Sequence, residues 1–299
     1  MIVSTNNVRV CYGRKVALDG FSFEMAKGEI AAILGPNGSG KTTLFRLLLG
    51  LLKQNAGAVE IFGGRPGSRH TLAKIGATIE TPSLYGHLSA LENLQVASHL
   101  KERKPDIKKL NELIGEVGLA NAGKMPAKKY SMGMRQRLAL AQALICEPEL
   151  LILDEPANGL DPEGIRWFRE WVVEAPAARG LSILLSSHIL NEVALIAQKV
   201  VLLKEGRIRF AGALNELWVD LRHKIRIKTA NIADSQAFLQ SNGYKITIDD
   251  DALLVDGSPE QRPEIARMLV QEGHDLLECI SLEPTLEDQY LSLMEGSHE

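Results

Sequence analysis

The stretch Gly35-Pro36-Asn37-Gly38-Ser39-Gly40-Lys41-Thr42 decides the fold of this chain. It matches the pattern G-x-x-x-x-G-K-S/T and stands between an apolar strand-like run, Ile30–Leu34, and a helical pattern over Thr43–Leu52. Glycines let the backbone turn tightly, so that several N–H groups converge at the positive end of the helix dipole. The stretch therefore predicts a loop that binds phosphate groups.

The residues of this loop have separate predicted roles. Lys41 is expected to reach the β- and γ-phosphates of a nucleotide, and Thr42 is expected to ligate Mg²⁺ through its hydroxyl. The other residues expected around the phosphates are Gly35, Pro36, Asn37, Gly38, Ser39, Gly40 and Thr43.

A second apolar strand ends in two acids, in Leu150-Leu151-Ile152-Leu153-Asp154-Glu155. Ligands of α/β proteins bind at the carboxyl ends of the strands, where these two carboxylates emerge. We expect Asp154 to hold Mg²⁺, directly or through water. Glu155 is expected to polarise the attacking water as a general base.

Four apolar runs, separated by helical segments, indicate the fold class. Runs rich in Leu, Ile and Val are typical of parallel strands buried on both faces, so we predict an α/β domain with a largely parallel sheet. The early stretch, from Val3–Val10 through Val59–Phe62, predicts short antiparallel strands around the nucleotide site. The predicted buried strands are Ile30–Leu34, Leu150–Leu153, Ser182–Ser186 and Val200–Leu203.

The sequence pattern changes near residue 218 and predicts two domains, 1–218 and 219–299. The tail follows the order βαββαβ, which predicts a small α+β domain with the ferredoxin-like split unit as its candidate topology. A last helix is predicted after Pro284. The other predicted elements of the tail are the strands Lys224–Lys228, Lys245–Ile248, Leu253–Val255 and Leu276–Leu282 and the helices Ala233–Gln240 and Glu260–Gln271.

A further motif, Tyr130-Ser131-Met132-Gly133-Met134-Arg135-Gln136, opens a predicted helix whose apolar residues follow helical spacing before Pro148. A helix N-terminus with a hydroxyl and a bare glycine N–H suits an anionic phosphate. The motif resembles the signature of the ABC ATPase family, in the form Ser-x-Gly-x-x-Gln. The resemblance implies that Ser131 and Gly133 contact the γ-phosphate of an ATP bound to a second cassette. The chain is therefore expected to form a homodimer, or a heterodimer with a related chain.

Three other parts of the sequence also resemble the ABC ATPase family. Gly159-Leu160-Asp161-Pro162 resembles the D-loop, which couples the two sites of the dimer, and Asp161 is expected at the nucleotide site. Ser186-Ser187-His188 resembles the switch-histidine motif, in which His188 hydrogen-bonds the γ-phosphate and the general base. Tyr12 stands where the family carries an aromatic residue that stacks on adenine.

The resemblance covers residues 1–218 and implies a P-loop NTPase fold of the ABC cassette type. That fold has a RecA-like core, an antiparallel β subdomain and a helical subdomain. The implied ligands are ATP and Mg²⁺, and the implied activity is ATP hydrolysis coupled to transport. A separate membrane-spanning permease chain is the expected partner, which would hold the protein at the cytoplasmic face of the cell membrane. The tail resembles the usual ending of the exporter group through Glu283-Pro284-Thr285-Leu286-Glu287-Asp288.

One position departs from the family pattern. The family usually has a Gln that contacts Mg²⁺ and the water, whereas this chain reads Ile79-Glu80-Thr81-Pro82. Glu80 can also ligate a hard cation, so it is expected at the metal site. The stretch Ile75–Leu94 is similar to bacterial exporters involved in self-protection against peptide antibiotics. It is expected to receive the coupling helix of the membrane partner.

Composition restricts the function classes. The 34 Lys and Arg against 37 Asp and Glu give a formal net charge of −3, without the basic excess of a nucleic-acid binder. No apolar run in the sequence reaches the roughly 18 residues of a membrane helix. The three cysteines lie far apart, which is typical of a reducing compartment. Two alternatives stay open: a soluble ABC ATPase acting on a ribosome or nucleic-acid complex, and an ATP-binding regulatory or resistance subunit.

Overall fold

The computed structural model describes residues 1–79, 83–100, 104–218, 224–282 and 290. The chain divides into two compact units, Met1–Leu214 and Asn215–Glu299. In these described parts of the chain, no helix is both long enough and apolar enough to cross a membrane.

The first unit contains both strands and helices. Its strands are β1 (Val3–Tyr12), β2 (Lys15–Met25), β3 (Ile30–Leu34), β4 (Ala56–Ile61), β5 (Ile75–Thr78), β6 (Leu150–Leu153), β7 (Ser182–Ser187), β8 (Lys199–Lys204) and β9 (Arg207–Ala213). Its helices are α1 (Lys41–Leu48), α2 (Arg69–Leu72), α3 (Ala90–Leu100), α4 (Ile107–Glu116), α5 (Met132–Leu144), α6 (Pro162–Arg179) and α7 (Leu190–Val193).

A six-stranded sheet, in the order β5-β6-β7-β3-β8-β9, forms the centre of the first unit. Its strands are parallel except for β9, which pairs with β8 in the antiparallel direction. All residues of β3, β6 and β7 are buried, as expected for strands covered on both faces. The predicted parallel sheet is confirmed. Because β6, β7 and β3 are neighbours, the loops at their carboxyl ends meet at one edge.

A second sheet of the first unit is antiparallel, in the order β2-β1-β4, and confirms the antiparallel strands predicted early in the chain. Its buried side chains, such as Phe21 and Phe23, share one core with Ile33 of β3 and with Leu44 and Phe45 of α1. The first helix is therefore packed between the two sheets. This packing fixes the start of α1, where the phosphate loop ends.

The helix α1 is shorter than the sequence predicts, since it ends at Leu48 rather than Leu52. Gly50 has a φ of 71°, in the left-handed region. The Gly50 amide donates to the Leu47 carbonyl at 2.9 Å, and the Leu51 amide donates to the Arg46 carbonyl at 2.9 Å. This pair of hydrogen bonds is a Schellman motif, which satisfies the last carbonyls of a helix and ends it.

Within its described residues, the strands and α-helices of the second unit follow the order βαββαβ. These are β10 (Lys224–Thr229), α8 (Ile232–Ser241), β11 (Ile246–Asp249), β12 (Ala252–Asp256), α9 (Arg262–Gln271) and β13 (Leu276–Leu282). The strands form an antiparallel sheet in the order β11-β12-β10-β13. Ile225 and Ile227 of β10 share a core with Leu239 of α8 and Leu269 of α9, so both helices cover one face. The helix predicted after Pro284 lies outside the described residues.

Candidate functional site

The phosphate loop runs from β3 into α1 and requires glycine at two positions. A Cβ atom at Gly35 would lie 2.2 Å from the carbonyl oxygen of Leu203 in β8. At Gly40, where φ is 115°, a Cβ atom would lie 2.6 Å from the carbonyl oxygen of Ala17 in β2. The loop is therefore pressed against both sheets, and no larger residue fits at either glycine without moving the backbone.

Lys41, the first residue of α1, is buried inside the loop, with 6% of it exposed. Its Nζ donates to the carbonyl oxygens of Gly35 at 2.6 Å and Pro36 at 3.3 Å. The same Nζ lies 3.2 Å from Oε1 of Glu155. This last contact is an ion pair without hydrogen-bond geometry, because Oε1 has no hydrogen-bond partner among the described residues. The positive charge of Lys41 thus lies between the loop and the second acid.

Thr42 and Asp154 form a pair of oxygen donors beside the loop. The Thr42 hydroxyl donates to Oδ2 of Asp154 at 2.8 Å, and Asp154 is 9% exposed. Mg²⁺ takes oxygen ligands and keeps waters and substrate phosphates as further ligands, so one hydroxyl and one carboxylate suit it. Ser39 is 2% exposed, and its hydroxyl has no hydrogen-bond partner among the described residues. A buried hydroxyl inside the loop fits a phosphate oxygen as its partner.

Glu155 follows β6 and has an unusual backbone. Its φ is 49°, in the left-handed region that non-glycine residues adopt at a cost of about 1–2 kcal/mol. Its Oε2 lies 2.8 Å from Nδ1 of His188, just beyond the end of β7. A carboxylate can only accept a hydrogen bond, so this contact is a hydrogen bond to a carboxylate in the tautomer of His188 that carries its proton on Nδ1. The carboxylate of Glu155 is therefore held between His188 and Lys41.

The signature segment and the D-loop pack against each other. Ser131 caps α5, and its hydroxyl accepts a hydrogen bond from the Met134 amide at 3.2 Å. A Cβ atom at Gly133 would lie 3.3 Å from the side chain of Leu160. Asp161 caps α6, since its Oδ1 accepts from the Gly164 amide at 2.8 Å. The close approach of Gly133 to Leu160 places both helix starts side by side.

Among the described residues, the predicted site residues form two groups that are separate in the structure, and Tyr12 stands apart from both. The first group brings together Lys41, Thr42, Asp154, Glu155 and His188 around the loop. Within the described part of the chain, no hydrogen bond or ion pair joins this group to Ser131, Gly133 or Asp161. Tyr12 lies at the end of β1 with 49% of it exposed. Glu80, the third predicted metal ligand, lies outside the described residues.

The sequence predicts no separate role for the Ser186 side chain. Its hydroxyl donates to Oδ1 of Asp154 at 2.6 Å and accepts from the Glu155 amide at 2.8 Å. In the sequence, this position is marked by two small polar residues, Ser186 and Ser187, which end the apolar run of β7. That pattern does not identify a hydrogen-bond partner, because both partners directly follow the neighbouring strand β6.

An apolar cavity of about 190 Å³ lies beside the Glu155–His188 pair, between α6 and the segment from β7 to α7. Its walls include Phe168 of α6 and Ile196, which follows α7. Glu192 of α7 also lines it, and burial raises the pKa of this carboxyl above its ordinary value of 4.5. The nearby Glu155 raises this pKa further, whereas His188 lowers it.

Comparison with known proteins identifies the class of this protein. A family model described as ABC transporter matches residues 18–158. The uncharacterized ABC transporter ATP-binding protein YdbJ of Bacillus subtilis is 35% identical over 289 residues, which cover 96% of this chain and 93% of that protein. The chain therefore belongs to the ABC transporter ATP-binding proteins.

Two further relatives have names that state a transport function. The lantibiotic transport ATP-binding protein SrtF of Streptococcus pyogenes is 42% identical over 207 residues, 69% of this chain and 89% of that protein. The bacitracin transport ATP-binding protein BcrA of Bacillus licheniformis is 32% identical over 302 residues, 99% of this chain and 98% of that protein. A solved structure described as the ATP binding subunit of an ABC transporter is 30% identical, with a TM-score of 0.65 over 73% of this chain and 92% of that one.

The family and the fold together define the activity. This chain is an ATP-binding subunit of an ABC transporter and an ATPase. The predicted cassette fold is confirmed by the solved structure and by the family model.

Proposed function

We propose that this chain hydrolyses ATP with Glu155 as the general base and thereby powers export through a separate membrane-spanning partner. The contact that supports the catalytic role is the one between Glu155 and His188, with Oε2 and Nδ1 at 2.8 Å. Similarity to a bacitracin transport protein over 99% of the chain supports export and makes peptide antibiotics the first substrate class to test.

In the proposed reaction, the loop and Lys41 hold the β- and γ-phosphates of ATP, and Tyr12 stacks on the adenine. Thr42 and Asp154 hold Mg²⁺, which neutralises phosphate charge when bound. Glu155 takes a proton from the attacking water. The water oxygen bonds to the γ-phosphorus as the bond to the β–γ bridging oxygen breaks, which releases ADP and phosphate.

The second group of site residues completes the site from another cassette. Ser131 is exposed at the start of α5, where a helix N-terminus and hydroxyl suit a phosphate. We expect Ser131 and Gly133 of one cassette to contact the γ-phosphate held by the other, in a homodimer or a heterodimer. Asp161, next to this segment, couples the two sites. The metal role of Glu80 stays a prediction.

The domain 219–299 is proposed to be an accessory α+β domain of the ferredoxin-like kind, and the protein is proposed to lie at the cytoplasmic face of the membrane through its partner. The βαββαβ order of the second unit supports the first point. Deletion of the domain 219–299 tests its contribution to transport once the isolated cassette has been shown to fold.

The catalytic proposal is tested with Glu155→Gln. Gln keeps the shape of the side chain but cannot accept the proton, so kcat should fall by about 10²- to 10⁴-fold. ATP binding and ATP-bound dimers should remain, as measured by calorimetry and light scattering. Glu163→Gln, on the exposed first turn of α6, is the matched control and should hydrolyse ATP normally. A Glu155→Gln variant with the wild-type kcat would show that another group is the base.

The transport proposal is tested by purifying the tagged full chain from detergent-solubilised membranes and identifying what accompanies it by mass spectrometry. A stoichiometric polytopic membrane protein is the expected result and would identify the chain that selects the substrate. Ribosomal or nucleic-acid partners, with no membrane protein, would overturn the transport proposal and leave the ATPase site as described.

A further inference from the structure

Ser186 links both acids of the site through one hydroxyl group. The residue is fully buried near the end of β7. Its Oγ donates to Oδ1 of Asp154 at 2.6 Å and accepts from the Glu155 amide at 2.8 Å. The hydroxyl proton of Ser186 thereby points to the Asp154 carboxylate, and a lone pair of its oxygen points to the Glu155 amide.

These two hydrogen bonds fix different properties of the site. The Asp154 carboxylate is held on both oxygens, by Ser186 at Oδ1 and by Thr42 at Oδ2, so the plane of the carboxylate cannot rotate freely. The Glu155 amide is held while its backbone adopts a φ of 49°. A strained backbone persists only where its surroundings hold it.

The end of β7 also contacts the other parts of the site. The carbonyl oxygen of Ser187 accepts from the Gly35 amide at 3.4 Å, at the start of the phosphate loop. His188, the following residue, contacts the Glu155 carboxylate. A displacement of this strand end would therefore move the loop and both acids together.

We propose that Ser186 is a positioning residue that sets the carboxylate plane of Asp154 for the metal and the backbone of Glu155 for the attacking water. The part that concerns Glu155 rests on its proposed role as the base. The part that concerns Asp154 rests instead on its proposed role in holding the metal.

The test compares Ser186→Ala with Ser186→Thr and with a matched control, Ser182→Ala. Ser182 is fully buried at the other end of the same strand, and its hydroxyl accepts from the Gly28 amide at 2.8 Å. The two alanine variants thus remove the same group from the same strand. Only Ser186→Ala should lower kcat, by about 10- to 100-fold, because a displacement of about 1 Å costs up to about 100-fold. The KM for ATP should change little, and Ser186→Thr should recover most of kcat.

Two measurements without turnover separate positioning from a merely structural role. Mn²⁺ binding in the presence of ADP, followed by electron paramagnetic resonance, should weaken by about tenfold in Ser186→Ala and not in Ser182→Ala. Hydrogen exchange at the Glu155 amide should accelerate in Ser186→Ala beyond any change caused by Ser182→Ala. Wild-type Mn²⁺ affinity and amide exchange in Ser186→Ala would overturn the proposal, as would equal losses in both alanine variants.

The Mn²⁺ measurement remains decisive if Glu155 proves not to be the base. In that case Glu155→Gln would keep its kcat, which refutes the catalytic proposal. Weakened Mn²⁺ binding in Ser186→Ala would still support the positioning of Asp154. Normal Mn²⁺ binding would refute that positioning, whatever the behaviour of Glu155→Gln.

Discussion

Replacing Gly35 by Ala should displace the phosphate loop by a distance that the structure defines. The new Cβ atom would lie 2.2 Å from the carbonyl oxygen of Leu203 and 2.7 Å from the hydroxyl of Ser39. Carbon and oxygen atoms that are not bonded approach to about 3.3 Å. Leu203 is fully buried in β8 and cannot retreat easily. The loop must therefore move away from β8 by about 1 Å.

Such overpacking typically costs about 1–3 kcal/mol of unfolding free energy. In a unit of this size, each 1 kcal/mol lowers the melting temperature by about 2–4 °C. The loop amides that are proposed to bind the phosphates move with the loop, so we expect ATP affinity to fall by at least about tenfold, or about 1.4 kcal/mol. Isothermal titration calorimetry and thermal melting measure both effects.

The matched control for this prediction is Gly38→Ala in the same loop. Gly38 has a φ of 81°, but a Cβ atom there would meet no other atom within 4 Å. The control should lose about 1–2 kcal/mol of stability through backbone strain, without a displacement of the loop. ATP affinity should therefore fall less than in Gly35→Ala. Wild-type ATP affinity and melting temperature in Gly35→Ala, or an equal loss of affinity in both variants, would refute the steric reasoning.

Two further predictions concern stability. Gly115 lies in α4, where an added Cβ atom meets nothing within 4 Å, so Gly115→Ala should raise the free energy of unfolding by about 0.5–1 kcal/mol, and a lower melting temperature would contradict this. Burial raises the pKa of Glu192 in the folded chain, so the contribution of this carboxyl to stability falls as the pH rises from about 4.5 through the raised pKa. Gln cannot ionise, and the melting temperature of Glu192→Gln relative to the wild type should rise between pH 4 and pH 7.5. A difference that does not change with pH would show that the Glu192 pKa is not linked to folding.

The buried strands and the loop were predictable from the sequence because their signals are local. Burial on both faces gives continuous apolar runs, and the predicted bounds of β3 and β6 agree with the structure. The end of α1 was predicted wrongly, because Leu51 and Leu52 continue the apolar pattern beyond Gly50. The left-handed backbone of Gly50 ended the helix despite that pattern.

The contacts within the site were less accessible to sequence reasoning. The identity of Asp154 and Glu155 as candidate residues followed from a local pattern, namely two acids at the end of an apolar strand. The hydrogen bonds from Ser186 depend instead on β7 lying next to β6, and strand order is not visible in a single sequence. The ion pair between Lys41 and Glu155 likewise joins residues from separate strand–loop units.

That ion pair explains why Glu155→Gln should retain ATP while losing turnover. The Lys41 ammonium has three N–H donors, and two of them already reach the carbonyl oxygens of Gly35 and Pro36. In the proposed site, the phosphate groups of ATP therefore compete for the Lys41 ammonium with the Glu155 carboxylate, which lies 3.2 Å from it. A neutral Gln removes both this competition and the repulsion between carboxylate and phosphate. With Glu155 as the proposed base, the loss of turnover and the stronger nucleotide binding both follow from one missing charge. A Glu155→Gln variant that bound ATP more weakly than the wild type would contradict the arrangement.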